Sequence, residues 1–160
     1  MNFKHLGAAL LAASAFTLAA CGEAEQPVTE GEPAGVPGMS VANARIVLPP
    51  VAGNPAAVYF DLVYDGDRGL TIRKAEVAGA ESAMLHDYNE HEGKMQMMEA
   101  LPIGIKKGTK ISFAPGASHV MVFGLSPELK AGDSADVTLT VSGGGTYTFP
   151  AEIRDAGEER

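Results

Sequence analysis

Ser118-His-Val-Met-Val-Phe123 reads as a β-strand. Side chains along a strand alternate between faces. His119 and Met121 therefore share one face, and Val120 and Val122 share the other. The turn Ala114-Pro-Gly-Ala117 bounds the run on its N-terminal side. Working outward, the same grammar repeats: short β-branched or aromatic runs separated by glycine and proline. Upstream lie Val41–Val47, Ala56–Tyr64, Leu70–Val77, Ser82–Tyr88, Lys94–Met98, Leu101–Ile105 and Thr109–Phe113. Downstream, Asp136–Val141 places Val137, Leu139 and Val141 on one face, and Thr146–Ile153 places Tyr147 and Phe149 on one side. Leu70–Val77 has an ambiguous inward face. Helical periodicity is nearly absent. The expectation is an all-β domain of eight or nine short strands, a β-sandwich in preference to an open barrel.

This domain spans residues 41–155, enough for one modest core. Residues 156–160 form a polar C-terminal tail. Before the domain, residues 1–20 have the form of an export signal: Lys4 and His5 precede an apolar run from Leu6 to Ala20, too short for a comfortable membrane span. Leu18-Ala-Ala-Cys21 looks like a bacterial lipobox, which makes Cys21 the acylated first residue of a lipoprotein. Residues 21–40, rich in proline, glycine and glutamate, read as a flexible tether with little to bury. Gly22 rather than aspartate after the cysteine resembles Gram-negative lipoproteins sorted to the outer membrane, so a periplasm-facing location is expected, outer membrane over inner.

Cys21 is the sole cysteine, which leaves no internal disulfide, no thiolate ligand in the domain and no ordinary blue-copper centre. The formal charge is −8, and removal of the signal takes away only Lys4. That acidity argues against nucleic acid and against electrostatic membrane docking, and a monomer is expected. No nucleophile-elbow serine or Cys/His pair marks an enzyme.

The stretch Met84–Met121 concentrates three of the four histidines and five of the seven methionines. Period-2 alternation places His86 with Met84 and Tyr88, places Met95 with Met97, and turns Met98 away. If these segments converge with His119 and Met121, they form a His2Met2 pocket. Imidazole and thioether without thiolate form a soft donor set suited to Cu(I). Neither is lost to disulfide formation in an oxidising compartment. Methionine in a small β protein is also ordinary core filler. Met98 is expected in the core, Met39 is incidental at the end of the tether, and His91 is solvated in a turn between Glu90 and Glu92. Met84 and Met95 are ambiguous, each on a ligand-bearing face one step from a proposed ligand.

The spacing His86, ten residues, Met97, twenty-one residues, His119, one residue, Met121 resembles the ligand motif of the periplasmic copper chaperones called PCuAC, a cupredoxin-like β-sandwich family. Gly116-Ala-Ser-His-Val-Met-Val-Phe-Gly-Leu125 resembles that family's Gly-x-x-His-x-Met-x-x-Gly-Leu strand, and Lys130-Ala-Gly-Asp133 with Val137–Val141 resembles its closing region. The resemblance covers Val41 to Ile153. It implies one Cu(I) held by His86, Met97, His119 and Met121 and handed by ligand exchange to an acceptor. That acceptor would be a cytochrome c oxidase subunit or a thiol-bearing copper assembly protein. A copper-storage or resistance protein would use the same ligands. Tyr88 stands where many members carry a further methionine, and the chain ends without a His/Met-rich tail, which puts a second, Cu(II) site in doubt.

Overall fold

The computed structural model describes residues 35–91 and 93–157. Ten strands are present there: β1 (Met39–Val47), β2 (Ala56–Tyr64), β3 (Leu70–Val77), β4 (Ser82–His91), β5 (Lys94–Glu99), β6 (Ile103–Ile105), β7 (Thr109–Phe113), β8 (His119–Phe123), β9 (Ser134–Val141) and β10 (Thr146–Arg154). That is one or two more than expected, because every alternating run became a strand of its own, down to the three residues of β6. The signal segment, Cys21 and most of the tether lie outside the described residues.

The strands follow one path, β5-β4-β8-β2-β1-β10-β9-β3-β6, with β7 also paired to β2. Only β1 and β10 run parallel; the other pairings are antiparallel. β5 and β6 end the path without pairing to each other, so the sheet is not a closed barrel. It folds over on itself instead. β3 and β4 stand near opposite ends of the path yet lie against each other. Phe60 of β2 meets Phe149 of β10 at a ring separation of 5.1 Å. The result is an all-β, cupredoxin-like sandwich with one core between its layers.

That core follows from alternation. In β2 every second residue from Ala56 to Tyr64 is buried. Val137, Leu139 and Val141 supply the facing side from β9, and Tyr147, Phe149, Ala151 and Ile153 supply it from β10. β2 serves two neighbours in succession: Ala56–Val58 pair with β8 and Phe60–Tyr64 pair with β7.

Two bulges explain where simple alternation fails. β3 shifts register between Ile72 and Lys74, so Ile72 faces the core and then Ala75 and Val77 do, with opposite parity. β1 shifts between Ala42 and Arg45, around Asn43 at φ 54°, so Met39 and Ile46 are both buried. An extra residue on one strand reverses which face each later side chain takes.

The N-terminal boundary and several single residues differ from expectation. Val36 and Met39 are core residues, so the ordered domain reaches into what reads as tether, and Met39 is not incidental. Leu101 is 85% exposed ahead of β6. β4 continues to His91, and its hairpin to β5 turns at Gly93, whose φ of 75° suits a residue without a Cβ.

Phe60 is fully buried and stacks on Phe113 at 4.2 Å. Phe60→Ala should therefore cost about 3–5 kcal/mol of stability. Leu101→Ala should stay within about 0.5 kcal/mol. Urea denaturation of the two variants beside the parent domain measures both, and equal losses would contradict this placement of the core.

Candidate metal centre

The site is set by how β4 sits between β8 and β5. The β4–β8 register pairs Met84 with Met121, Leu85 with Val120, and His86 with His119. Residues directly opposite in an antiparallel pair point to the same face. Leu85 and Val120 are buried, so their face is the core. The neighbouring pairs, His86–His119 and Met84–Met121, therefore project outward together. On the other side of β4, Tyr88 pairs with Met97 and His86 with Glu99. Met97 thus shares the outward face, one strand further out than His86.

The four residues of the His-x10-Met-x21-His-x-Met motif, carried on three strands, come to one face of one sheet: His86 on β4, Met97 on β5, and His119 and Met121 on β8. Val120 and Val122, both fully buried, anchor β8 from below as expected.

The two imidazoles are close and held differently. Their ring centroids are 5.8 Å apart, edge to face. His119 is 5% exposed, and its Nδ1 lies 2.9 Å from the Ala117 carbonyl oxygen. A carbonyl can only accept, so Nδ1 carries a proton, and it is Nε2 that offers the lone pair of the neutral ring. That is the usual way an outer hydrogen bond orients a metal-binding imidazole. The carbonyl is placed by the turn Ala114–Ala117, where Pro115 and the positive φ of Gly116 (78°) fit a type II turn closed by Ala117 N–H to Ala114 O at 3.0 Å. Tyr59 and Tyr88 flank His119, with ring centroids 6.2 and 6.0 Å away.

His86 has no such tether. Its Nδ1 is buried without a hydrogen-bond partner among the described residues. A buried polar atom left unpaired is costly and calls for an explanation, an ion among them. Burial, with the neighbouring His119 second, lowers its pKa below the ordinary imidazole value, and Glu99 pulls weakly the other way. A neutral imidazole is the form that binds metal. Among the described residues no three His, Cys, Asp or Glu side chains form a metal-binding cluster, so a four-donor set on this face has to draw on methionine.

The methionines are available for that. Met84 is 40% exposed and Met97 42%. Met98 pairs with Asp87 on the inward side but is 38% exposed rather than core, because β5 is an edge strand exposed throughout. Met95 is exposed too. His91 ends β4 rather than sitting in a turn.

Four participants were not singled out by motif. Tyr59 takes its place from the outward phase of β2, and Glu99 from pairing opposite His86. The Ala117 carbonyl leaves no side-chain signal at all. Asp87 accepts hydrogen bonds from the Tyr88 amide at 2.8 Å and the Ser118 hydroxyl at 3.1 Å, which ties β4 to the residue before His119.

Residues 39–153 match the family model described as LpqE-like lipoprotein. The chain belongs to the LpqE-like lipoprotein family. A curated relative, the lipoprotein Lxx21020 of Leifsonia xyli subsp. xyli, is 32% identical over 100 residues, 62% of this chain and 60% of that protein. The match thus spans less than two thirds of that relative's length. Solved structures extend the likeness in shape. The copper-bound PCuAC domain from PmoF2 superimposes at a TM-score of 0.60 with 21% identity, over 76% of this chain and 96% of that domain. The apo PCuAC domain from PmoF1 gives 0.62 with 23% identity, over 75% and 96%. The Cu(I) form of DR1885 from Deinococcus radiodurans gives 0.59 with 24% identity, over 79% and 84%. At these identities the likeness is one of fold: this LpqE-like chain has the PCuAC fold that its motif led one to expect.

The lowered pKa of His86 has a consequence for the metal-free domain. Between the folded midpoint and the unfolded value of about 6.5 the unfolded chain binds more protons, so stability rises with pH. The contribution is complete above that unfolded value and is lost as pH falls through the lowered folded midpoint. Urea denaturation across about pH 5 to 8 should show this loss on acidification, and His86→Gln should flatten it. Parallel slopes in the two proteins would refute the assignment to His86.

Proposed function

We propose that this LpqE-like lipoprotein is a copper chaperone that binds one Cu(I) through His86, Met97, His119 and Met121 and passes it on by ligand exchange. The observation that carries the reading is the convergence of these residues on one outward face, next to a buried His86 Nδ1 that none of the described residues satisfies. The likeness in fold to domains solved with copper supports it.

The donor set suits the cargo. Two neutral imidazoles and two thioethers are soft and uncharged, which favours Cu(I) over Cu(II) and zinc. His119 presents Nε2 because the Ala117 carbonyl holds its other nitrogen. The flanking tyrosine rings and the buried setting of His119 limit water around the metal, while exposed Met97 leaves one side open to a partner. The role is carriage, not catalysis. A partner's ligand would approach over β5, displace the most exposed donor, and draw the metal across without any change of oxidation state.

The acceptor on this reading is an apo copper site of cytochrome c oxidase or a thiol-bearing copper assembly protein. Residues 1–20 direct export, acylated Cys21 anchors the chain to a membrane with the domain facing the periplasm, and the outer membrane is the favoured location. The segment after Cys21 serves as the spacer that lets the domain meet its acceptor.

A competitive Cu(I) titration of the soluble domain, anaerobic and reduced, tests the site. One equivalent should compete with the chelator. His119→Ala should weaken binding beyond the roughly 10–100-fold that loss of an outer-shell partner brings, and Met97→Ala should weaken it less. Wild-type affinity in both variants, or no competition at all, would remove the proposed site. Separately, Cys21→Ser should move the full-length protein from the membrane fraction to the soluble fraction, and an unchanged distribution would refute anchoring through Cys21.

A further inference from the structure

Met84 stands closer to the histidine pair, by strand register, than Met97 does. Met84 pairs with Met121 and His86 pairs with His119, two residues further along the same two strands. These four side chains make a two-by-two block on the outward face of β4 and β8. Directly opposite residues have Cβ atoms about 4.5–5.5 Å apart. Residues two apart along a strand are about 6.6 Å apart. Met97 pairs with Tyr88 instead, a strand beyond β4 and on the side of His86 away from Met84. That is a diagonal step of about 7–8 Å from His86, and His119 is a further strand away.

The supports of the two methionines also differ. β4 and β8 are pinned beneath the block by Leu85, Val120 and Val122, all buried. β5 is exposed at every residue and, among the described strands, pairs only with β4. Met84 is 40% exposed, so its thioether is not taken up by core packing.

We infer that Met84 is a fifth soft donor of this site, which holds Cu(I) with His86, His119 and Met121 when Met97 is withdrawn. The inference rests on the copper-binding reading above. It makes Met97, on the edge strand, the exchangeable ligand and Met84, on the frame, the donor that takes its place. Transfer then begins with Met84 taking the place of Met97, so the metal stays four-coordinate on the β4–β8 frame while the β5 side is freed for a partner's ligand. No electron moves; one Cu–S bond breaks as another forms.

The test uses the lipid-free mature protein, loaded anaerobically with Cu(I), in wild type, Met84→Ala, Met97→Ala and the double variant. X-ray absorption counts sulfur ligands per copper, and methyl-labelled methionine NMR follows each thioether. The Met97→Ala protein should keep two sulfurs, from Met121 and Met84, and its Met84 methyl resonance should shift on loading. The double variant should fall to one sulfur and lose more affinity than the two single variants combined. A single sulfur in Met97→Ala with an unmoved Met84 methyl would overturn the role of Met84 while leaving the site itself standing. Absence of bound copper in the wild type would instead sink the copper-binding reading on which it rests. Met84 and Met97 both lie exposed, so neither substitution threatens the fold.

Discussion

The register between β4 and β8 is the constraint on which the rest depends. Leu85 opposite Val120, buried in the core, forces His86 opposite His119 and Met84 opposite Met121 on the outer face. A slip of one residue would turn every outward side chain inward. The slip is prevented by the transfer free energy of the apolar side chains, about 1.5–3 kcal/mol for each one fully buried. The site is thus a by-product of ordinary core packing. Its precision comes from valines and a leucine that never touch a ligand.

Around that register the chain separates a firm part from a loose part. His119 is buried, oriented by a backbone carbonyl from a proline-glycine turn and ringed by Tyr59 and Tyr88. The Asp87–Ser118 hydrogen bond closes the same end of the strand pair. β5, in contrast, is an exposed edge. On the proposed copper-carrying reading, a site that must also release has use for both. Donors on the frame hold position at little entropic cost, and a donor on the edge can leave without disturbing the core.

The electrostatics point the same way. Burial and the adjacent imidazole lower the pKa of His86, and its buried Nδ1 has no hydrogen-bond partner among the described residues. The carboxylate residue opposite His86 across the β4–β5 pair is Glu99. The face therefore offers neutral donors at its centre and charge at its margin, within an acidic protein whose overall charge of −8 contributes to solubility.

Much of this was legible in the residues. Alternation in Ala56–Tyr64, Val137–Val141 and Tyr147–Ile153 was enough for an all-β sandwich, because burial on one face imposes period 2 directly on the chain. His119 and Met121 opposite Val120 and Val122 followed from the same rule, and the spacing from His86 to Met121 singled out the candidate ligands. Alternation failed at Leu70–Val77 and around Asn43, where bulges reverse parity; Met39, read as the end of a tether, is core, and Met98, on the expected face, is exposed. Whether a methionine is filler or exposed depends on what covers its strand, and only the folded sheet shows that β1 is covered and β5 is not. The sequence by itself determined which side chains share a face within each strand. Which strands are neighbours, and so which histidine meets which methionine, was decided by tertiary pairing. Side-chain parity is local to a strand, whereas strand order depends on burial across the whole core.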